Sequence, residues 1–247
     1  MSQRELERVF GVEVDVITRL ELIDRVVACV SSGTKLWVGN HNLHSAYLVR
    51  EDEQMRRWFD RVDLVFVDGM SLVAASRLSR GRLRREHRAT VLDWMPQVLD
   101  AAGRAGMVVF HLGGDPAWIE QGAAAWRTAH PGLDVHVHHG FFRDDEAGEV
   151  IAEIAKVQPD LLLIGMGSPL QERWAQAHAD QLDVPVIVIV GAFLGFAAKV
   201  VRRPPRWIGQ IGLEWLWRLV VDARHVWRRY LVEPVLLLWS LRRERRR

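Results

Sequence analysis

Four short stretches of this 247-residue chain hold the residues whose types and spacing could do chemistry. They are Gly39-Asn40-His41-Asn42-Leu43-His44-Ser45, Asp68-Gly69, Gly113-Gly114-Asp115-Pro116, and Gly165-Met166-Gly167-Ser168-Pro169-Leu170-Gln171-Glu172. Both glycine turns lead into predicted helix N-termini, where free N–H groups and the helix dipole favour a phosphate and glycine permits close approach. The plainer alternative is that short strand-to-helix turns need glycine anyway. Asp68 also has two readings, a helix cap or a general base that takes a proton from a hydroxyl nucleophile. Asn40 and Asn42 carry amide donors and acceptors suited to sugar hydroxyls or a base edge. His41 and His44 lie three apart, but no third ligand stands at a familiar spacing and there is no HExxH, so no metal site is expected.

Each stretch follows a short apolar, β-branched run. The predicted strands are 35–38, 63–67, 107–112, 134–138, 160–164 and 184–190, and helical periodicity marks 43–59, 71–78, 91–102, 116–128, 144–156 and 169–181 between them. Strands alternating with helices predict an α/β fold, doubly wound, with a mainly parallel sheet and helices on both faces. Asp115-Pro116 and Ser168-Pro169 each offer an N-cap oxygen followed by proline at the first helical position. In such sheets ligands bind outside the carboxyl ends of the strands, so the four stretches are expected on one rim.

Composition narrows the class. An apolar fraction of 49% excludes intrinsic disorder, and one cysteine excludes an internal disulfide. Cys29, in the helical pattern DRVVACV, reads as core rather than nucleophile. There is no GxGxxG with a partner acid about 20 residues on, and no GxxxxGK[ST], which argues against a nicotinamide or flavin cofactor and against a P-loop ATPase. The net charge of +2 divides unevenly. Residues 199–247 hold 13 basic and 4 acidic side chains, a net of +9, which leaves −7 for residues 1–198. The same end holds five of the eleven tryptophans. A catalytic body at 1–198 and a basic, amphipathic appendage at 199–247 are therefore expected.

For that appendage, the headgroup region of an anionic membrane is favoured over a helix simply packed on the body and over a nucleic-acid site. The longest apolar run, Val184–Ala198, is about 15 residues with a proline and two glycines, short of the roughly 18 needed to span a bilayer. The charged first residues lack a signal-peptide pattern, so a cytosolic protein with access to a membrane surface is expected. A monomer or weak homo-oligomer is expected there.

Taken in order, the motifs FGVEVDVIT, HNLHSAYLVRED, VDLVFVDGMSLV, RREHRATVLDW, VVFHLGGDPA, HHGFF, GMGSPLQERW, VIVGAFLGFAAKVVRRPPRW and GLEWLWRLVVDARHVWRRYL resemble the WecG/TagA/CpsF glycosyltransferases over nearly the whole chain. The resemblance implies inverting, metal-independent transfer from a UDP-sugar to a polyprenyl-diphosphate-linked saccharide, with no cofactor. The setting it implies is bacterial surface-polysaccharide synthesis, on the inner face of the cell membrane. It implies that Asp68 is the base, that Asn42 and Gln171 contact substrate, and that Asn40 stands where the family often has threonine. Arg218, Arg224 and Arg228 match the family's catalytic and membrane-targeting appendage, with Arg218 and Arg228 expected in catalysis and Arg224 in substrate binding. Gly69, Gly113, Gly114, Gly165 and Gly167 complete the expected substrate contacts. A nucleotide-binding regulator and a nucleic-acid binder acting through the tail are the rival functions.

Overall fold

Runs such as Leu64–Val67, Leu161–Ile164 and Val186–Ile189 are apolar at every position, the pattern of parallel strands covered on both faces. The computed structural model, which describes residues 4–202, 205, 208 and 213–244, arranges them accordingly. An antiparallel hairpin, β1 (Leu6–Val9) and β2 (Val12–Asp15), precedes six parallel strands. These are β3 (Leu36–His41), β4 (Leu64–Val67), β5 (Val108–Leu112), β6 (Asp134–His138), β7 (Leu161–Ile164) and β8 (Val186–Ile189). Their spatial order is β4-β3-β8-β7-β5-β6.

Alternate strand residues feed two cores. Leu36, Val38, Leu64, Phe66, Leu161, Leu163, Val186 and Val188 face one layer, formed by α1 (Arg19–Ser32), α5 (Val91–Arg104), α6 (Ile119–Ala129) and α9 (Phe193–Ala197). Val65, Val67, Leu162, Ile164, Ile187 and Ile189 face the other, formed by α2 (Leu43–Glu51), α3 (Glu53–Arg61), α4 (Met70–Leu78), α7 (Ala147–Val157) and α8 (Leu170–Ala177). From β3 the chain turns one way to the edge strand β4 and then crosses to β5 on the far side. The switch point of this α/β sheet, where a crevice opens, is therefore at β3 and its neighbour β8.

The differences from the sequence expectation have local causes. The single helix expected over 43–59 is two, because Asp52 takes an extended conformation, caps α3 through the Gln54 N–H and pairs with Arg173 of α8. β3 runs on to His41, so Asn40 and His41 belong to the strand rather than to the loop after it. Ser168 does not cap α8, because its hydroxyl donates to Glu172 at 2.5 Å instead. Asp115 accepts from the Ala117 N–H in a turn, and α6 begins only at Ile119.

Gly113 is the residue on which the two central turns close. Its φ is 136°, and a Cβ there would lie 2.4 Å from the carbonyl carbon and oxygen of Gly165. Gly113→Ala is expected to destabilise the protein by about 2–4 kcal/mol, since strain and overlap between two backbones cannot relax by side-chain motion. Urea unfolding would register this as a lower midpoint at unchanged slope.

The C-terminal region adds α10 (Glu214–Val221), α11 (Ala223–Trp227), a π-helical turn (Arg228–Val232) and α12 (Glu233–Glu244), which packs on α2. The π turn has a sequence cause. Pro234 has no N–H to give to the Tyr230 carbonyl, and the N–H of Glu233 reaches back five residues to the Arg228 carbonyl. Among the described residues, no helix is long and apolar enough to cross a membrane.

Candidate active site

At the switch point lies a cleft of about 270 Å3, walled by the carboxyl ends of β3, β4, β7 and β8 and by the C-terminal region. Asn40, Asn42, Asp68, Gly167 and Gln171 reach it from the strand ends, and Arg218 and Arg229 from the C-terminal helices. The expectation of one rim holds for these stretches.

Asp68 is not a helix cap. Gly69 occupies the N-cap position of α4, with φ 119°, and no side chain caps that helix. The carboxyl instead turns to the cleft, where Asn40 Nδ2 donates to its Oδ2 at 3.4 Å. Asp68 is half-buried and forms no ion pair among the described residues. Burial lifts its pKa above the ordinary carboxylate value, and the Glu214 charge lifts it further. The guanidinium groups of Arg88, Arg229 and Arg218 oppose that rise without cancelling it. Glu214, the cleft's other carboxylate, is committed to an ion pair with Arg88 at 2.8 Å.

The asparagines divide their work. Asn42 Oδ1 caps α2, accepting from the N–H groups of His44 and Ser45, so only its amide N–H groups are left for a ligand. His41 is a core residue, its ring bonded to Ser45 Oγ and the Val9 carbonyl, and burial pulls its pKa down to about 4. His44 turns the other way, to Glu233. The two histidines therefore do not converge, and among the described residues no three His, Cys, Asp or Glu side chains group as a metal site would need. Asp63, at the far end of β4, accepts from the Trp37 N–H, a structural role.

Gln171 is buried and serves its own loop. Its Oε1 accepts from the Gly167 N–H and its Nε2 donates to Ser168 Oγ and Glu172 Oε1. Glu172 is likewise buried, its Oε2 without a hydrogen-bond partner among the described residues, and burial raises its pKa. The Gly113 N–H donates to His138 O and the Gly165 N–H to Leu112 O. The glycine turns thus keep three of their N–H groups for the fold, which removes those three from the expected phosphate cradle.

A second cavity of about 700 Å3 shares Gly167 and Ala192 with the first. Gly114 and Gly165 open onto it, and Trp118, Phe141, Phe142 and Met166 line it. Arg224 and Arg228 are exposed and lie outside the lining of both cavities. In their place the structure brings in Arg229, which the family resemblance does not single out. Thr90, Glu214 and Glu172 also escaped the sequence reading; Glu172 alone had a signal, its place in the GSPLQE motif.

The sequence profile of the glycosyl transferase WecG/TagA/CpsF family matches residues 7–247. Among curated relatives, the N-acetylglucosaminyldiphosphoundecaprenol N-acetyl-beta-D-mannosaminyltransferases of Staphylococcus aureus strains NCTC 8325 / PS 47 and COL are 24% identical over 230 residues. The match covers 89% of this chain and 86% of each relative.

Proposed function

The chain belongs to the WecG/TagA/CpsF family of glycosyl transferases, and from that membership we propose that it transfers a hexosyl group from a UDP-sugar to a hydroxyl of a polyprenyl-diphosphate-linked saccharide. The relatives are named for transfer of N-acetylmannosamine to N-acetylglucosaminyldiphosphoundecaprenol, which supports a lipid-diphosphate acceptor here. The observation that carries the proposal is Asp68, a carboxyl without an ion-pair partner among the described residues, its proton affinity raised by burial, in a cleft that Arg218 and Arg229 also line.

In this mechanism Asp68 takes the proton of the acceptor hydroxyl as that oxygen attacks the anomeric carbon. The bond from the anomeric carbon to the UDP oxygen breaks, its electron pair leaves with UDP, and the sugar inverts. Charge growing on the departing diphosphate is met by Arg218 and Arg229. The neighbouring aromatic cavity suits the nucleoside, with Phe141 and Trp118 offering faces for a base. Gly167, common to both cavities, would lie beneath the diphosphate that joins them.

The division into a catalytic body, 1–198, and an appendage, 199–247, follows from the same reading. Trp215, Leu216, Val220, Trp227, Leu231, Val235, Leu238 and Trp239 are exposed on C-terminal helices that also carry arginine, a surface suited to anionic headgroups. We place the enzyme on the cytoplasmic face of the membrane, where the lipid-linked acceptor is presented.

Incubating the protein with a panel of UDP-sugars and polyprenyl-diphosphate saccharides, with and without EDTA, tests this. Transfer with inversion, undiminished by EDTA, is the expected result. A protein that binds UDP and transfers to no acceptor would be a nucleotide-binding regulator instead.

A further inference from the structure

Among the described residues, an arginine–glutamate ion pair and a histidine–glutamate contact tie the C-terminal helices to the body. Arg88, after α4, holds Glu214 at the start of α10, and His44, in the first turn of α2, holds Glu233 at the start of α12. The second pair is short and sheltered. His44 Nδ1 lies 2.5 Å from Glu233 Oε2, and the two side chains are 12% and 14% exposed. His44 also sits within electrostatic reach of the buried Glu172 carboxyl, on the loop that carries Gln171.

Glu233 makes two connections at once. Its N–H closes the π turn by bonding the Arg228 carbonyl, and its carboxylate grips His44. Arg229, inside that turn, lines the cleft, while the adjacent Arg228 is exposed. Neighbouring residues on a helix differ by about 100° in direction. Which arginine faces Asp68 is therefore fixed by the phase of this turn, and the phase is anchored where Glu233 meets the body.

We propose that His44 and Glu233 form a latch, a pair of positioning residues that hold the π turn in the phase that directs Arg229 at the site. The proposal rests on the assignment of Arg229 to the site made above. Neither latch residue touches substrate; both act through Arg229.

The test uses the full-length protein. Glu233→Ala is expected to lower kcat at least about tenfold with donor KM changed less than about twofold, since misplacing a charged group by an ångström affects the transition state more than binding. Arg229→Ala should cost about a hundredfold in the parent but no more than about tenfold once Glu233 is alanine, because both changes remove part of the same interaction. His44→Lys, which places a cation opposite Glu233, should retain most activity where His44→Gln does not. Trypsin cleavage after Arg228 and Arg229 should accelerate at least about fivefold in Glu233→Ala, with the body's unfolding midpoint unchanged.

An unchanged cleavage rate, or losses from Glu233→Ala and Arg229→Ala that multiply, would overturn the latch. Arg229→Ala without effect in the parent would overturn the site assignment beneath it, while proteolysis still reads whether Glu233 holds the helices down.

Discussion

Asp68→Asn is expected to cut sugar transfer by at least about a hundredfold while leaving the fold and nucleotide binding intact, the usual share of a general base. The substitution keeps the shape of the side chain and removes its ability to accept a proton. The contact from Asn40 Nδ2 can persist through the amide oxygen, so the position of the side chain is not what is lost. Single-turnover transfer, measured beside UDP binding, separates the two effects. Full turnover in the variant would pass the role of base to Glu214, the cleft's other carboxylate, whose partnership with Arg88 argues against it.

The same carboxyl predicts a pH dependence with a definite sign. Burial, aided by the Glu214 charge, raises the pKa of Asp68, so activity should fall as pH drops through a midpoint above the ordinary carboxylate range. That acid limb should be absent from whatever activity Asp68→Asn retains. Stability runs with the opposite outcome. A carboxyl whose folded pKa exceeds its unfolded value contributes stability that is present below the unfolded value and lost as pH rises through the folded one. Above that folded value the parent carries an ionised, partly desolvated Asp68, and there Asp68→Asn should be at least as stable. The difference should shrink on acidification, which urea midpoints at pH 7 and near pH 4 would show.

The body of the protein was legible from its sequence because its signals are local. Strands such as 64–67, 161–164 and 186–189 are apolar throughout, Asp68 follows the first directly and the loop with Gly167 leads from the second into the helix that carries Gln171, so the doubly wound topology alone places them on one rim. What was not legible depends on which of several competing partners each polar group takes. Nothing near Asn42 shows that half its amide is spent on capping α2, or that Ser168 gives its hydroxyl to Glu172 rather than to a cap. The Gly113 and Gly165 turns read as a phosphate cradle because their N–H groups look free in one dimension. In three dimensions β6 brings a carbonyl to Gly113 and β5 one to Gly165. The hairpin before α1 was missed for a related reason, since four-residue strands with mixed polarity give too short a pattern to recognise.

The appendage shows the same limit most clearly, and it carries the second large effect. The sequence expectation assigns catalysis to Arg228, whereas the π turn closed by Glu233 exposes Arg228 and directs its neighbour Arg229 into the cleft beside Arg218. Arg229→Ala should therefore lower kcat by about a hundredfold, the loss typical of removing one donor from a developing negative charge. Arg228→Ala should change transfer to a soluble acceptor analogue by less than about threefold, as expected for an exposed side chain. Because Arg229 also lowers the proton affinity of Asp68, its removal should move the acid limb of the pH profile further up. Arg228, exposed among the apolar side chains of the same helices, should instead matter for adsorption to anionic vesicles. Measuring both variants for transfer and for vesicle binding separates the roles. If Arg228→Ala loses turnover and Arg229→Ala does not, the C-terminal helix works in the phase that the family resemblance implies, and the π turn has no part in building the site.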